Sequence, residues 1–148
     1  MNQKKYNTAK YWLKSYLPFY LFTLLFFSSC VAHKVPQTAQ AFIEKYFPDA
    51  TIVLTEKEED GEEGYSVWLN DGTKIDFDLS NEWKRVNRKR TGVPEMLIPS
   101  AIQQYLKTNY PDEAVFKISR KTYGYKITLS NDHDLKFTPQ GKLIELDE

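Results

Sequence analysis

The sequence predicts an α+β protein: a tandem repeat of one helix plus four antiparallel strands, each copy a two-layer sandwich, with the two sheets able to join as one continuous eight-stranded sheet. Three observations predict it. Residues 64–78 alternate Tyr, Val and Leu on one face, turn at Asp71-Gly72, and alternate Ile and Phe on the way back. Residues 124–137 repeat that pattern with Tyr125, Ile127, Leu129, Leu135 and Phe137. An amphipathic stripe led by a proline precedes each copy, at Pro36 and at Pro99.

The chain has 148 residues, with 20 basic and 20 acidic side chains. That length suits one compact domain or two small halves sharing a core. The zero net charge hides an asymmetry. Residues 1–30 hold Lys4, Lys5, Lys10 and Lys14 and no acid, which leaves 20 − 4 = 16 basic against 20 acidic groups, a net of −4. Nucleic acid is therefore not an expected partner, since binding phosphates needs clustered positive charge. The lone Cys30 excludes an intrachain disulfide and a thiolate metal site.

The basic N-terminus runs into an apolar stretch at residues 16–27 and then Ser28-Ser29-Cys30. A positive region, a short apolar core and small residues before a lone Cys read as a lipoprotein-type signal over residues 1–29, with Cys30 as the lipid-modified first residue. An uncleaved signal anchor is the competing reading, although the run is shorter than the ~20 apolar residues of a comfortable span. Residues 30–35 read as a tether.

Repeat one covers residues 36–87. Pro36 suits a helix start. Ala39, Phe42, Ile43 and Tyr46 make one apolar stripe, and Phe47-Pro48 stops it. Ile52 and Leu54, alternating with Thr51, Val53 and Thr55, read as a first strand. Glu58, Glu59, Asp60, Glu62 and Glu63 form an acidic loop without the ligand spacing of a wrapped calcium site. The hairpin follows, then a turn at Ser80-Asn81 and a last strand from Trp83 to Val86.

Residues 88–98 read as a linker, broken by Gly92 and Pro94. Arg88, Lys89 and Arg90 join Lys84 and Arg85 in a basic cluster. It reads either as a docking patch for an acidic partner or anionic lipid, or as solvated charge on a connector that guards a strand edge.

Repeat two covers residues 99–148. Pro99, Ile102, Tyr105, Leu106 and Pro111 match Pro36, Ala39, Phe42, Ile43 and Pro48 at an offset of 63. Ala114, Phe116 and Ile118 align with Ala50, Ile52 and Leu54 at 64, which implies one inserted residue. The hairpins match at 60, and Trp83 and Val86 continue into Leu143 and Leu146. The Asp71-Gly72 turn is expected to be tight and the Asp132-His133 turn not.

Catalysis finds little support. His33 and His133 lack partners at useful spacing, and Asp76 and Asp78 share one strand face without a cleft. No cofactor or metal is expected. The face opposite Tyr65, Val67 and Leu69 should carry Val53, Trp68, Lys74, Asp76, Val115, Lys126, Thr128 and Lys136. An exposed Trp68 ringed by charges is a hot spot for a protein or peptide partner, with Lys74, Asp76, Lys126 and Lys136 around it. A Trp68 packed under a neighbouring loop is the alternative.

Residues 41–52, 64–78, 93–118, 124–129 and 135–137, with Trp83 closing the first copy and Gly141 in the second, resemble the PepSY-like, β-lactamase-inhibitor-protein-like family of small secreted proteins. The first copy departs from it in Ser80-Asn81-Glu82, where a Gly usually precedes the Trp, and the second in Asp132-His133, where it has Asp-Gly. The resemblance spans residues 36–146 and implies tandem α+β repeats with a concave antiparallel sheet. It also suggests, by analogy of fold alone, inhibition of a periplasmic or extracellular hydrolase. The expected function is thus a non-enzymatic envelope lipoprotein, tied to the outer membrane by its lipid only and facing the periplasm. The alternative is a calcium- or ligand-sensing protein using the acidic loop of repeat one.

Overall fold

The computed structural model describes residues 35–57 and 64–147. The signal segment, Cys30, most of the tether and the acidic loop lie outside the described residues. Helix α1 is Gln37–Tyr46 and α2 is Ser100–Asn109. The strands are β1 (Ile52–Lys57), β2 (Gly64–Leu69), β3 (Lys74–Asp78), β4 (Trp83–Asn87), β5 (Val115–Lys121), β6 (Gly124–Leu129), β7 (Asp134–Phe137) and β8 (Leu143–Asp147). All eight form one sheet in chain order, each antiparallel to its neighbours.

The helices start and stop as their prolines dictate. Pro36 and Pro99 stand just before the first helical residue, at φ −55° and −54°. Phe47 and Tyr110, each followed by proline, leave the helix at φ −138° and return their N–H to Ile43 and Leu106 at 2.7 Å. Val35, assigned to the tether by sequence, is instead buried in the core. Its carbonyl accepts a 2.9 Å hydrogen bond from Gln40 Nε2, which ties it to the first turn of α1.

The helical side of the sheet is apolar through its centre. Val67, Ile75, Phe77, Val86, Ile118, Ile127, Leu129, Leu135 and Phe137 are completely covered. Phe42 sits edge-on to Phe77 at 5.7 Å, and Tyr105 edge-on to Phe137 at 5.4 Å. Such pairs add about 1 kcal/mol beyond their area. Gly64 and Gly124 open β2 and β6 at φ +156° and +133°. A Cβ there would stand 2.1 Å from the Phe77 carbonyl oxygen and 2.2 Å from that of Phe137. This is why each Tyr-led strand begins with glycine.

Three sequence expectations are corrected by register. The first concerns β1. Ile52 faces Leu69 and Leu54 faces Trp68, with Val53 bulged out between them. In β5, Val115 faces Leu129 and Lys117 faces Thr128, with Phe116 bulged. Leu69 and Leu129 differ by 60, so Ile52 corresponds to Val115 and the offset stays 63. No residue is inserted between helix and strand. A one-residue shift flips every side chain to the other face. Leu54 therefore points away from the helices and is 47 % exposed, while Val115, expected on that open face, is in the core.

The second concerns the hairpin turns. Gly72 and Asp132 hold the same position, at φ +86° and +65°. Leu69 N–H donates to Thr73 O as Leu129 N–H does to His133 O, both at 2.9 Å. The second turn is as tight as the first, because an Asp tolerates the left-handed region. His133 is half-buried against Tyr110, with ring centroids 6.3 Å apart, and is not the solvated residue its turn position suggests.

The third concerns the linker. Val93, Leu97 and Ile98 belong to the core, with a 3-10 turn at Glu95–Leu97. Arg88 grips Asp71 through Nε at 3.1 Å and Nη2 at 2.9 Å, and lies 5.4 Å from the Phe47 ring. Its own N–H donates to Phe116 O, and Val93 N–H to Val115 O, extending the ladder along β5. The segment is a clamp across the β4–β5 seam, and Arg88 is one of its fasteners.

Candidate functional site

The face turned away from the helices is built from two rows of side chains, one residue from each strand. One row runs Glu56, Ser66, Asp76, Arg85, Ser119, Lys126, Lys136, Glu145. The other runs Leu54, Trp68, Lys74, Asn87, Lys117, Thr128, Asp134, Asp147. Register thus places the five predicted binding residues on one face: Trp68, Lys74, Asp76, Lys126 and Lys136.

They divide into two groups. Asp76 is not an exposed contact. Its side chain is only 3 % accessible, beneath Lys74 at 3.4 Å and Arg85 at 3.1 Å, and it accepts a 2.8 Å hydrogen bond from Ser66 Oγ. The Arg85 contact is an ion pair without hydrogen-bond geometry, since Asp76 Oδ2 has no hydrogen-bond donor. Asp76 is the buried member of both pairs while Lys74 and Arg85 stay about a third exposed, so Asp76 positions its two cations. Lys74 also lies 5.5 Å from the Trp68 ring, and Trp68 Nε1 donates to Glu56 Oε2 at 3.3 Å. Trp68 is half-exposed, with Leu54 beside it.

The second group is β6–β8. Lys126 pairs with Asp134 at 2.7 Å, and Lys136 with Glu145 at 2.7 Å and Asp147 at 3.1 Å. Burial pushes the Asp134 carboxyl up, but hydrogen bonds from Lys126 and Thr128, with the charges of Lys126 and Lys117, outweigh it and hold it below the usual carboxylate range. Hydrogen bonds to Glu145 and Asp147 hold the Lys136 ammonium above the usual lysine value. Lys117, at the centre, forms no ion pair among the described residues.

The carboxylates considered for acid–base chemistry do other work. Asp78 Oδ1 accepts the N–H groups of Ser80 and Glu82 at 2.8 and 3.0 Å and so shapes the β3–β4 turn. Among the described residues no three His, Cys, Asp or Glu side chains gather as a metal site. Arg85 and Leu54 are among the members of the face that sequence reasoning missed. Arg85 stood in the basic cluster but not opposite Asp76, because the bulge at Lys84 is needed to place it. Leu54 was assigned to the wrong face.

The family model that matches residues 63–145 is that of the beta-lactamase-inhibitor-like, PepSY-like proteins. Three solved structures superpose well. A protein of Bacteroides thetaiotaomicron described as calcium-regulated and periplasmic is 41 % identical, with TM-score 0.73, over 78 % of this chain and 91 % of its own. A periplasmic protein of Bacteroides vulgatus from the DUF2874 family is 39 % identical, with TM-score 0.70, over 77 % and 91 %. A second periplasmic protein of that organism, of unknown function, is 32 % identical, with TM-score 0.71, over 78 % and 93 %. No curated protein matches.

Proposed function

The chain belongs to the beta-lactamase-inhibitor-like, PepSY-like family, and from that premise we propose that it is a non-enzymatic protein of the cell envelope that binds a protein or peptide through the open face of its sheet. The observation that carries this reading is the Trp68 patch. A large aromatic side chain is held half-exposed by Lys74 and Glu56, with the exposed Leu54 at its flank. An amphipathic anchor inside a ring of fixed charges is how binding energy is concentrated at protein interfaces. The family description supports an inhibitory role toward a periplasmic or extracellular hydrolase. The periplasmic description of the relatives supports the location. The matched turns, bulges and helix ends of the two halves support a duplicated unit, residues 36–87 and 99–148. Lipidation of Cys30 would complete the picture, and mass spectrometry of the membrane fraction tests it: an acylated N-terminal Cys30 is expected, and an intact peptide containing Lys10 would exclude it.

A pull-down from envelope extract compares the wild type with Trp68→Ala and Lys126→Glu. Loss of a partner from the Trp68→Ala eluate is expected. The same partners from all three proteins would remove the open face from consideration.

A second reading is calcium regulation. It is favoured by the description of the 41 % identical relative and by the acidic run at residues 58–63. Titration calorimetry with millimolar Ca²⁺ decides it: binding heat abolished by Glu62→Gln with Glu63→Gln supports a site there, and no heat ends the idea.

A further inference from the structure

The β4–β5 ladder is short. Its rungs are Arg85 with Ser119, Val86 with Ile118 and Asn87 with Lys117. Beyond Arg85 and Ser119 the strands part. Trp83 pairs only toward β3, and Arg120 and Lys121 pair only toward β6. The gap is a cleft of about 420 Å³ lined by Lys84, Arg85, Ser119, Arg120, Lys121 and Thr122. Four of the six are cations. Two are held by single carboxylates, Arg85 by Asp76 at 3.1 Å and Arg120 by Glu82 at 3.2 Å. Arg120 is also held 4.2 Å above the Trp83 ring. Lys121 is exposed and makes no ion pair among the described residues. The turns on either side carry apolar side chains into solvent: Leu79 in the β3–β4 turn is 64 % exposed and Tyr123 in the β5–β6 turn 36 %.

We propose that this cleft docks an acidic segment of a partner protein, its carboxylates among Arg85, Arg120 and Lys121 and its flanking apolar residues against Leu79 and Tyr123. The proposal rests on the reading that this protein binds proteins, and adds where and with what chemistry. Charge complementarity selects the occupant. The chain from residue 31 onward carries net negative charge, so a local group of cations stands out from its surroundings. The geometry selects a protruding peptide over a membrane. Arg85 projects from the open face, whereas Arg120 reaches Trp83 on the helical face, so the cations converge on a notch and do not lie in one plane. The two apolar flanks select a peptide over free phosphate, which has no use for them.

The test uses the protein with a fluorescein-labelled hexaglutamate peptide bearing leucine at each end, read by anisotropy. The wild type should bind the peptide, weakly enough for binding to be lost as salt rises and screens the charges. Lys121→Glu should weaken binding about tenfold, as reversal of a contacting charge does. Tyr123→Ser should weaken it several-fold at unchanged salt dependence, and both surface variants should melt with the wild type. Peptide binding unaffected by Lys121→Glu would overturn the proposal. So would inorganic phosphate that competes as well as unlabelled peptide, or phosphatidylglycerol vesicles that capture the protein when the peptide does not bind. Repeating the envelope pull-down with Lys121→Glu separates the two readings. Partner loss only with Trp68→Ala keeps the open face and overturns the cleft. Partner loss only with Lys121→Glu keeps the cleft.

Discussion

The two halves of the sheet are alike on the face that packs against the helices and opposite in charge on the other. Phe77 and Phe137, Tyr65 and Tyr125, and Leu69 and Leu129 hold the same places at an offset of 60. On the open face the same offset exchanges sign. Lys74, Asp76 and Arg85 stand where Asp134, Lys136 and Glu145 stand in the second half. Asp76 stands between two cations and Lys136 between two anions, Glu145 and Asp147, while Asp134 pairs with Lys126. The difference teaches where the constraint lies. A packed apolar face permits few solutions, since core volume changes are felt at the level of a methylene. An ion pair requires opposite signs and is indifferent to which strand carries which. The halves thus share a packing pattern on the helical face and carry different open surfaces.

The equivalence is most exposed to test in the core. Phe77→Ala and Phe137→Ala should each cost about 3–5 kcal/mol in urea unfolding, because each removes a fully buried ring. Costs differing by more than about 2 kcal/mol would break the likeness of the helical faces.

The open faces should differ next. Asp76→Ala removes the buried carboxylate that the Ser66 hydroxyl and both cations contact and should cost about 2 kcal/mol. Lys136→Ala, a quarter exposed, should cost about 1 kcal/mol or less. Exchanging the first pair, Asp76→Lys with Arg85→Glu, copies the polarity of the second half. It should recover part of what Asp76→Lys alone loses, and a double-mutant cycle without coupling would show the pair to be incidental.

The pH profile separates the halves at its alkaline end. Burial, reinforced by the Asp78 carboxylate, pushes the Tyr65 phenol up to about 12, and its hydroxyl donates to Asn81 Oδ1 at 3.0 Å. A raised folded value means stability is complete below the unfolded value near 10 and is lost as pH climbs toward 12. Tyr65→Phe should flatten that loss and remove a late-ionising tyrosine from the absorbance titration. At the acid end each half contributes a hairpin-turn carboxylate that is held low. Asp71 and Asp134 are both pushed up by burial and drawn further down by hydrogen bonds, from Thr73 and Arg88 in one and from Lys126 and Thr128 in the other. Their contribution is present above the unfolded value near 4 and fades as pH falls through their lower folded values.

The smallest effect is in the turns. Asp132→Gly should stabilise by up to about 1 kcal/mol and Gly72→Asp should destabilise by a similar amount, because the same left-handed position is relaxed for glycine and mildly strained for aspartate. Equal stability of all three proteins in thermal melts would show that aspartate is not strained at this position in either turn.

What the sequence determined by itself was local and periodic. Alternation placed β2, β3, β6 and β7, the prolines bracketed both helices, and the doubled hairpin disclosed the helical face residue by residue. These features depend on side-chain direction along one strand or helix, which a single segment already specifies. The family resemblance, carried by the same segments, held for the same reason. Tertiary structure decided everything that depends on register. The bulges at Val53 and Lys84 reversed Leu54 and set Arg85 opposite Asp76. The pairing of β4 with β5 joined two halves into one sheet, turned the linker into a clamp and opened the basic cleft beyond its last rung. A bulge adds one residue with no compositional mark, and a seam between strands separated by a helix leaves no local periodicity at all. The open face became legible only once neighbouring strands were in place, because a charge there is defined by what stands across from it.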